Sequence, residues 1–188
     1  MKTAVTLDGR TAFPDGRSQW ITGEAARADV QFWRGRAGAV LTGIGTVLAD
    51  DPQMNVRLPD QERQPLRFVI DPRMETPPAG KLLTSKGGKV FIAAAAEYPT
   101  RRAALEAAGA EVWVLPDAAV PGRVDLRELM RELAKREVNE VHVEAGPRLS
   151  GALFAAGLID EMLFYYAPCL FGAGMGPAAC LLYTSDAA

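Results

Sequence analysis

Residues 143–154 read VEAGPRLSGALF, and this stretch carries the clearest fold signal in the chain. A strand-like run ends at Glu144, two small residues turn the chain, and Pro147 stands where proline favours the first position of a helix. The amides of Arg148, Leu149 and Ser150 are then expected to be free at the positive end of the helix dipole, where phosphate binds. A plain strand-to-helix turn has the same residues, so spacing alone leaves both interpretations open.

Strand-like and helix-like segments alternate on both sides of this turn. Strands are predicted at residues 2–7, 39–42, 67–71, 89–95, 111–115, 140–144 and 162–167. A helix capped by Thr22 is predicted to end at Arg36, and a second helix is predicted at 100–108, ended by Gly109. A third is predicted to follow the capping residue Asp125, and a fourth to run from Pro147 to Ala156 before Gly157. Such alternation predicts an α/β fold with a largely parallel central sheet covered on both faces. We find no repeat or linker, and 188 residues predict one domain.

Composition excludes several classes of protein. There are 21 Lys and Arg against 23 Asp and Glu, so no basic surface argues for nucleic acid as the main partner. No apolar run approaches the roughly 20 residues of a membrane helix, and the start lacks the apolar core of a signal peptide. Two cysteines, Cys169 and Cys180, and the single His142 are too few for a disulfide framework or a zinc cluster. We therefore expect a cytoplasmic protein with no resident metal and a structural histidine.

A second candidate for ligand binding is GIGTVLADDP, residues 43–52. We expect it to be a loop in which Gly43 and Gly45 let the backbone approach a ligand closely. The spacing does not match the dinucleotide fingerprint, and a flexible loop ending in a turn at Pro52 is the alternative. Asp50 and Asp51 are adjacent and point apart on most backbones, so they form a poor acid–base pair.

Three isolated side chains remain ambiguous from sequence. Arg34 and Arg57 have the bidentate geometry that clamps a phosphate, although solvated surface arginines are commoner. Trp20 is either part of the core or a stacking platform.

Six blocks of sequence together resemble one known family. They are AVTLDGRTA, GRSQWIT, GTVLADDPQMNVR, QPLRFVID, VEAGPRLSGALFAAGLIDEM and YYAPCLFG, in that order along the chain. The combination is similar to the reductase domain of the bifunctional riboflavin-biosynthesis deaminase/reductase family. The resemblance implies a dihydrofolate-reductase-like, three-layer α/β fold. It also implies reduction of 5-amino-6-(5-phosphoribosylamino)uracil to the ribitylamino product by NADPH.

The resemblance also implies site residues by motif. On the substrate side they are Ser18, Arg34, Met54, Arg57 and Glu144. On the NADPH side they are Ala4, Trp20, Thr46, Asp50, Pro72, Gly146, Pro147, Arg148, Leu149, Ser150, Gly151 and Ala152. Pro72 stands where other members often have serine, and we expect Arg73 beside it to meet the 2′-phosphate of NADPH. The turn after residue 144 and the two arginines are expected to face one cleft.

The implied chemistry is hydride transfer to an imine-like carbon formed when the glycosylamine opens. Asp50 or a bound water is the candidate for relaying the proton. Alternatives are the related reductase that acts on the 2,5-diamino-pyrimidinone before deamination, and a non-catalytic nucleotide-binding fragment. Members of the family often form homodimers through this domain, so a homodimer is a further expectation.

The two ends of the chain depart from the family. The deaminase motifs HxE and PCxxC are absent, so deamination is not expected. Residues 180–188 look like a translated sequencing adapter, although a divergent natural tail is the alternative. On the first interpretation residues 1–179 are a reductase domain whose C-terminal strands are missing, and we expect lower stability and weak activity.

Overall fold

Two compact units make up the chain in the computed structural model, which describes residues 1–15, 22–59, 61 and 63–177. The first unit contains residues 1–30 and the chain from Glu144 onward, and the second contains residues 31–143. The predicted site residues Ser18 and Trp20 and the predicted non-native tail at 180–188 lie outside the described residues. The sequence predicted one domain, and the alternation of helices and strands did not indicate this division into two units.

Strands and helices alternate along the described chain. In order they are β1 (Lys2–Thr6), α1 (Glu24–Arg36), β2 (Ala39–Gly43), α2 (Ile44–Asp50), β3 (Leu66–Ile70), α3 (Lys81–Thr84), β4 (Val90–Ala94), α4 (Pro99–Ala107), β5 (Glu111–Val114), α5 (Leu126–Lys135), β6 (Val141–Val143), α6 (Pro147–Ala155) and β7 (Leu163–Ala167). Every predicted strand is present within two residues of its expected ends.

The second unit is built on a five-stranded sheet in the order β5-β4-β3-β2-β6, in which every pairing is parallel. Strand β4 is buried at every position and reads as a continuous apolar run, and β2 is buried at every position except Gly43, as expected when both faces of a parallel sheet are covered. Val40, Val69 and Ile92 lie at the centre of the core. The predicted parallel sheet is therefore confirmed. Strands β2 to β5 follow one another toward one edge of the sheet, and β6 lies on the opposite side of β2.

Most predicted helix ends are confirmed. The Asp125 side chain accepts a hydrogen bond of 2.9 Å from the Glu128 amide and so caps α5. Gly109 and Gly157 follow α4 and α6 with φ of 94° and 65°, left-handed values that favour glycine at these ends. Helix α1 begins at Glu24, one residue later than a Thr22 cap predicts.

The predicted loop at 43–52 is wrong, because residues 44–50 form α2. Two glycines and the lack of a capping side chain weaken the helix signal in sequence. The helix is stabilised instead by tertiary packing, since Val47 is buried in the core of the second unit. A further short helix, α3, lies between β3 and β4, where no helix was predicted.

The first unit contains a two-stranded parallel pair, β1 with β7, in which Lys2 lies opposite Leu163. One carboxylate, that of Asp8, is hydrogen-bonded to the segments that follow both strands. Asp8 accepts a hydrogen bond of 2.5 Å from the Thr6 hydroxyl. It also accepts hydrogen bonds from the amides of Phe171 at 3.2 Å and Gly172 at 2.7 Å. Asp8 thereby ties the segment after β7 to the segment after β1.

This tie is expected to weaken in acid. The Thr6 hydroxyl, followed by the two amides, lowers the pKa of Asp8 below the ordinary 3.8, against an opposing effect of burial. A group whose pKa is lowered by folding contributes stability that is fully present above the unfolded pKa and is lost as pH falls through the folded value. We expect hydrogen exchange of the Gly172 amide to accelerate only below about pH 3.8 in the wild type.

The matched variants are Asp8→Asn and, as control, Asp160→Asn at an exposed carboxylate. The first is expected to exchange fast at every pH and the second to behave as the wild type. An unchanged exchange profile in Asp8→Asn contradicts the prediction.

Candidate functional site

A cavity of about 460 Å³ opens at the carboxyl edge of the sheet in the second unit. It is lined by Ile44, Pro72, Arg73, Glu75, Ala95, Ala96, Tyr98 and Gly122. Ile44 directly follows β2, Ala95 directly follows β4, and Pro72 lies two residues beyond β3. The carboxyl edge of a parallel sheet is where open α/β folds bind their ligands, so this cavity is the candidate site of the second unit. It contains the predicted cofactor residue Pro72.

The turn that carries Pro72 is fixed by a buried carboxylate. Asp71 is 0% exposed, and its Oδ2 accepts hydrogen bonds of 2.7 Å from both the amide and the hydroxyl of Thr76. The Pro72 carbonyl accepts a bond of 3.0 Å from the Ala95 amide. The other Asp71 oxygen, Oδ1, is buried without a hydrogen-bond partner. One wall of the cavity is therefore rigid.

Arg73 supplies positive charge at this cavity. Its side chain is exposed, and its guanidinium lies 3.2 Å from the Glu75 carboxylate. The Arg101 guanidinium donates a bond of 2.7 Å to the Arg73 carbonyl and so fixes the backbone here. An exposed ion pair of this kind is weak, and Arg73 can exchange Glu75 for a phosphate at little cost.

Helix α2 presents two predicted cofactor residues on one face. Thr46 and Asp50 are four residues apart, the spacing of neighbours on a helix surface, and Asp50 is exposed. Asp51 has a different role: its Oδ1 accepts a bond of 2.8 Å from the Lys81 amide, and its carboxylate lies 3.4 Å from the Lys81 ammonium. The two aspartates thus do not act as a pair, as the sequence predicts, and a proton relay by Asp50 stays a prediction.

The predicted substrate residues Met54 and Arg57 lie in an extended segment after α2. Met54 is 3% exposed and packs in the core, so a substrate contact at this position falls to its backbone. Arg57 is exposed, and its guanidinium donates a bond of 3.2 Å to the Asn55 side chain. Arg34 is buried and donates a bond of 3.0 Å to the Asn55 carbonyl, so the solvated-surface interpretation is wrong for Arg34.

In the first unit, α6 begins as predicted, with Gly146 as N-cap and Pro147 at the first position. The prediction that Ser150 is a free donor is wrong. Its amide donates to the Gly146 carbonyl at 3.1 Å, and its hydroxyl donates to the Ala145 carbonyl at 3.2 Å. The amides of Arg148 and Leu149 precede the first intrahelical bond and have the geometry to meet an anion. Gly151 and Ala152 lie in the following turn of α6.

The predicted residues Ala4 and Glu144 lie close together in this unit. Ala4 is opposite Tyr165 in the strand pair, and the backbone of Glu144 forms an isolated parallel β-bridge with Lys2, two residues before Ala4. Sequence reasoning missed Tyr165, whose hydroxyl donates a bond of 2.5 Å to Asp29. Burial, and next the bond to Asp29 and the charge of Glu144, raise the pKa of Tyr165 above its ordinary value. The tyrosine is therefore a neutral hydrogen-bond donor beside Glu144.

The described part of the chain contains neither a candidate metal site nor a candidate membrane-spanning helix. No group of three or more His, Cys, Asp or Glu side chains there could hold a metal ion. Within the same residues, no helix has the length and apolar character needed to cross a membrane.

Comparison with known proteins finds one family. The model of the RibD C-terminal domain matches residues 1–186. The riboflavin biosynthesis protein RibD of Escherichia coli (strain K12) is 40% identical over 187 residues, covering 92% of this chain and 48% of that protein. The chain thus spans about half the length of the curated relatives it matches.

Solved structures agree with this match. Acinetobacter baumannii RibD, form 1, is 39% identical with a TM-score of 0.79, over 94% of this chain and 48% of that one. A Thermotoga maritima deaminase and 5-amino-6-(5-phosphoribosylamino)uracil reductase is 28% identical with a TM-score of 0.78, over 99% of this chain and 48% of that one. The dihydrofolate-reductase-like α/β fold, with a parallel sheet flanked by helices, is thereby confirmed.

Proposed function

Because the chain belongs to the RibD C-terminal domain family, we propose that it reduces 5-amino-6-(5-phosphoribosylamino)uracil to its ribitylamino product with NADPH. The observation that carries this proposal is the family match over residues 1–186, which includes every described site residue. The cavity at the carboxyl edge of the sheet supports it, because its volume is that of a small-molecule site.

The residues of the second unit fit a phosphorylated dinucleotide. Ile44, Ala95 and Tyr98 give the cavity apolar walls, and Arg73 adds a cation. Nothing lies within 4 Å of a Cβ built on Gly45, so the backbone beside Ile44 is open to close approach. We propose that Arg73 binds the 2′-phosphate and thereby favours NADPH over NADH. When bound, NADPH supplies the hydride for the open-chain C1′ of the substrate.

The protein's own part in the reaction is binding, orientation and proton supply. In the second unit, Thr46 and Asp50 form a polar face of α2, and Asp50 or a bound water relays the proton to the departing ring oxygen. In the first unit, the amides of Arg148 and Leu149 bind a phosphate oxygen of the cofactor.

Substrate binding is proposed for each candidate residue within its own unit. Arg57, which is exposed and bonded to the Asn55 side chain, binds the sugar phosphate. Arg34 is a second proposed substrate residue, and it fixes the same segment through its bond to the Asn55 carbonyl. Glu144 accepts hydrogen bonds from the pyrimidine or ribose groups.

The deciding experiment follows NADPH absorbance with the purified full chain and the phosphoribosylamino-uracil. Oxidation that depends on this substrate supports the proposal. Oxidation only with the 2,5-diamino-pyrimidinone reassigns the substrate. Tight NADPH binding without oxidation by either compound overturns the reductase proposal and leaves a nucleotide-binding fragment.

Arg73→Ala is expected to raise the KM for NADPH about tenfold, as for the loss of one charge-assisted contact, and to leave the KM for NADH unchanged. The matched control is Arg131→Ala, which removes another exposed, ion-paired arginine at a distance of 2.7 Å from Glu128. The prediction fails if Arg73→Ala raises both KM values equally, or raises neither.

A further inference from the structure

The segment 53–57, here called the substrate loop, has almost no regular structure of its own. It contains the proposed substrate residues Met54 and Arg57. A loop that binds a small ligand precisely needs its backbone fixed before the ligand arrives, because ordering it on binding weakens affinity. Side chains outside the loop hold this backbone by hydrogen bonds.

Arg67 on β3 is one of these side chains, and it was not among the predicted site residues. It is 4% exposed, and its guanidinium fork reaches two carbonyls in different segments. Nε donates a bond of 2.8 Å to Gly88, and Nη1 donates a bond of 3.0 Å to Gln53. Both of these hydrogen bonds are to backbone carbonyls, and no ion pair joins Arg67 to a carboxylate among the described residues.

The bond to Gln53 acts on the peptide unit that leads into Met54. Met54 has a φ of 52°, in the left-handed region where non-glycine residues are strained. The Gln53 carbonyl belongs to the peptide immediately before this residue, so its orientation sets the direction in which the Met54 backbone faces. A buried charged donor on that carbonyl stabilises the strained conformation.

Arg67 also belongs to a frame around the loop. The Asn55 side chain donates a bond of 2.8 Å to Lys86, next to the glycines that Arg67 contacts. Gln64 makes two bonds to the backbone of Val56, at 2.9 and 3.0 Å. The loop is thus fastened on both sides of Met54, and Arg67 is the attachment nearest to it on the N-terminal side.

We propose that Arg67 is a positioning residue for substrate: it holds the Gln53 peptide so that the Met54 backbone and Arg57 are preset for the sugar phosphate. The inference rests on the proposed function and adds to it a residue that does not itself touch the ligand. Loss of the two hydrogen bonds from the Arg67 guanidinium is expected to weaken substrate binding and to leave cofactor binding nearly intact.

The test compares Arg67→Lys with Arg102→Lys in the full chain. Arg102 also donates to a carbonyl, that of Val112 at 3.1 Å, but on α4 and away from the loop. A lysine replaces a planar fork by one point donor, so Arg67→Lys keeps at most one of the two bonds in good geometry. We expect a rise of about tenfold in substrate KM with kcat and the Kd for NADPH within twofold, whereas Arg102→Lys changes neither.

Gly87→Ala gives an independent perturbation in case Arg67→Lys does not fold. A Cβ on Gly87 would lie 2.9 Å from the Arg67 Cζ, so the guanidinium must shift while its charge is kept. The same rise in substrate KM is expected. Substrate KM within twofold of the wild type in a folded variant overturns the inference, as does an equal rise in the Kd for NADPH.

Failure of the proposed function is distinguishable from failure of this inference. If the wild type oxidises no NADPH, the reductase proposal fails, and calorimetric binding of ribose 5-phosphate then tests Arg67. Binding by the wild type that weakens about tenfold in Arg67→Lys supports positioning. Equal binding by the two proteins, or none by the wild type, contradicts it.

Discussion

Replacing Gly88 by alanine is expected to destabilise the protein by about 3 kcal/mol or more, because the new methyl group has no room. A Cβ at this position would lie 1.9 Å from the Pro65 carbonyl oxygen and 2.7 Å from its carbon. Both are backbone atoms just before β3, and Gly88 itself lies just before β4. Relief of the clash therefore requires the starts of two paired central strands to move apart.

Urea unfolding of three glycine variants measures the effect. Gly45→Ala is the control, since nothing lies within 4 Å of its Cβ and alanine in a helix is more stable by about 0.5–1 kcal/mol. Gly87→Ala should fall between the two, because the atoms it meets belong to the Arg67 side chain. A free energy of unfolding for Gly88→Ala within 0.5 kcal/mol of the wild type, a limit of about the size of ordinary surface effects, contradicts the structure at this turn.

The strands and most helices were predictable because their signals are local. Apolar runs such as VFIAA indicate strands buried on both faces, and their alternation with helices favours a parallel sheet with helical crossovers. Asp125, Gly109 and Gly157 marked helix ends through their own backbone and capping preferences. Helix α2 was missed for the converse reason: Gly43 and Gly45 argue against a helix locally, and the packing of Val47 decides the outcome.

The candidate site was only partly predictable. The family resemblance identified site residues by motif, but it did not predict their contacts or burial; these residues are Thr46, Asp50, Met54 and Arg57. Arg67, Gln64 and Tyr165 act through bonds to residues distant in sequence, and spacing carries no information about such contacts. One signal was available, since an arginine within the apolar run LRFVI indicates a buried charge that must find acceptors.

Two residues that were predicted from the sequence to be accessible are buried in the structure and have other roles. Ser150 looked like a free donor, but its bonds to the two residues before Pro147 serve the start of α6. A solvated surface position was the commoner expectation for Arg34, and the structure buries it against the substrate loop. A side chain's burial depends on what packs over it, so helix spacing alone does not predict its role.

Removing the Asp71 carboxylate is expected to damage both stability and cofactor binding. Asp71→Ala leaves the buried amide and hydroxyl of Thr76 without their acceptor, and each unsatisfied buried group costs about 1–3 kcal/mol. Because this turn carries Pro72 and Arg73 at the cavity, we expect a loss of about 2–4 kcal/mol and at least a tenfold weaker Kd for NADPH. Urea unfolding and fluorescence titration with NADPH measure the two effects.

Two variants separate the turn from general destabilisation. Asp71→Asn keeps an oxygen that accepts both bonds from Thr76 and puts an amide where Oδ1 has no partner, so it should lose less stability than Asp71→Ala. Leu133→Ala, at a buried position on α5, should cost a comparable 2–4 kcal/mol, about the value for a buried leucine, without changing the Kd for NADPH. If Leu133→Ala weakens NADPH binding as much as Asp71→Ala does, then the effect is one of overall stability, and the buried carboxylate does not shape the cofactor cavity.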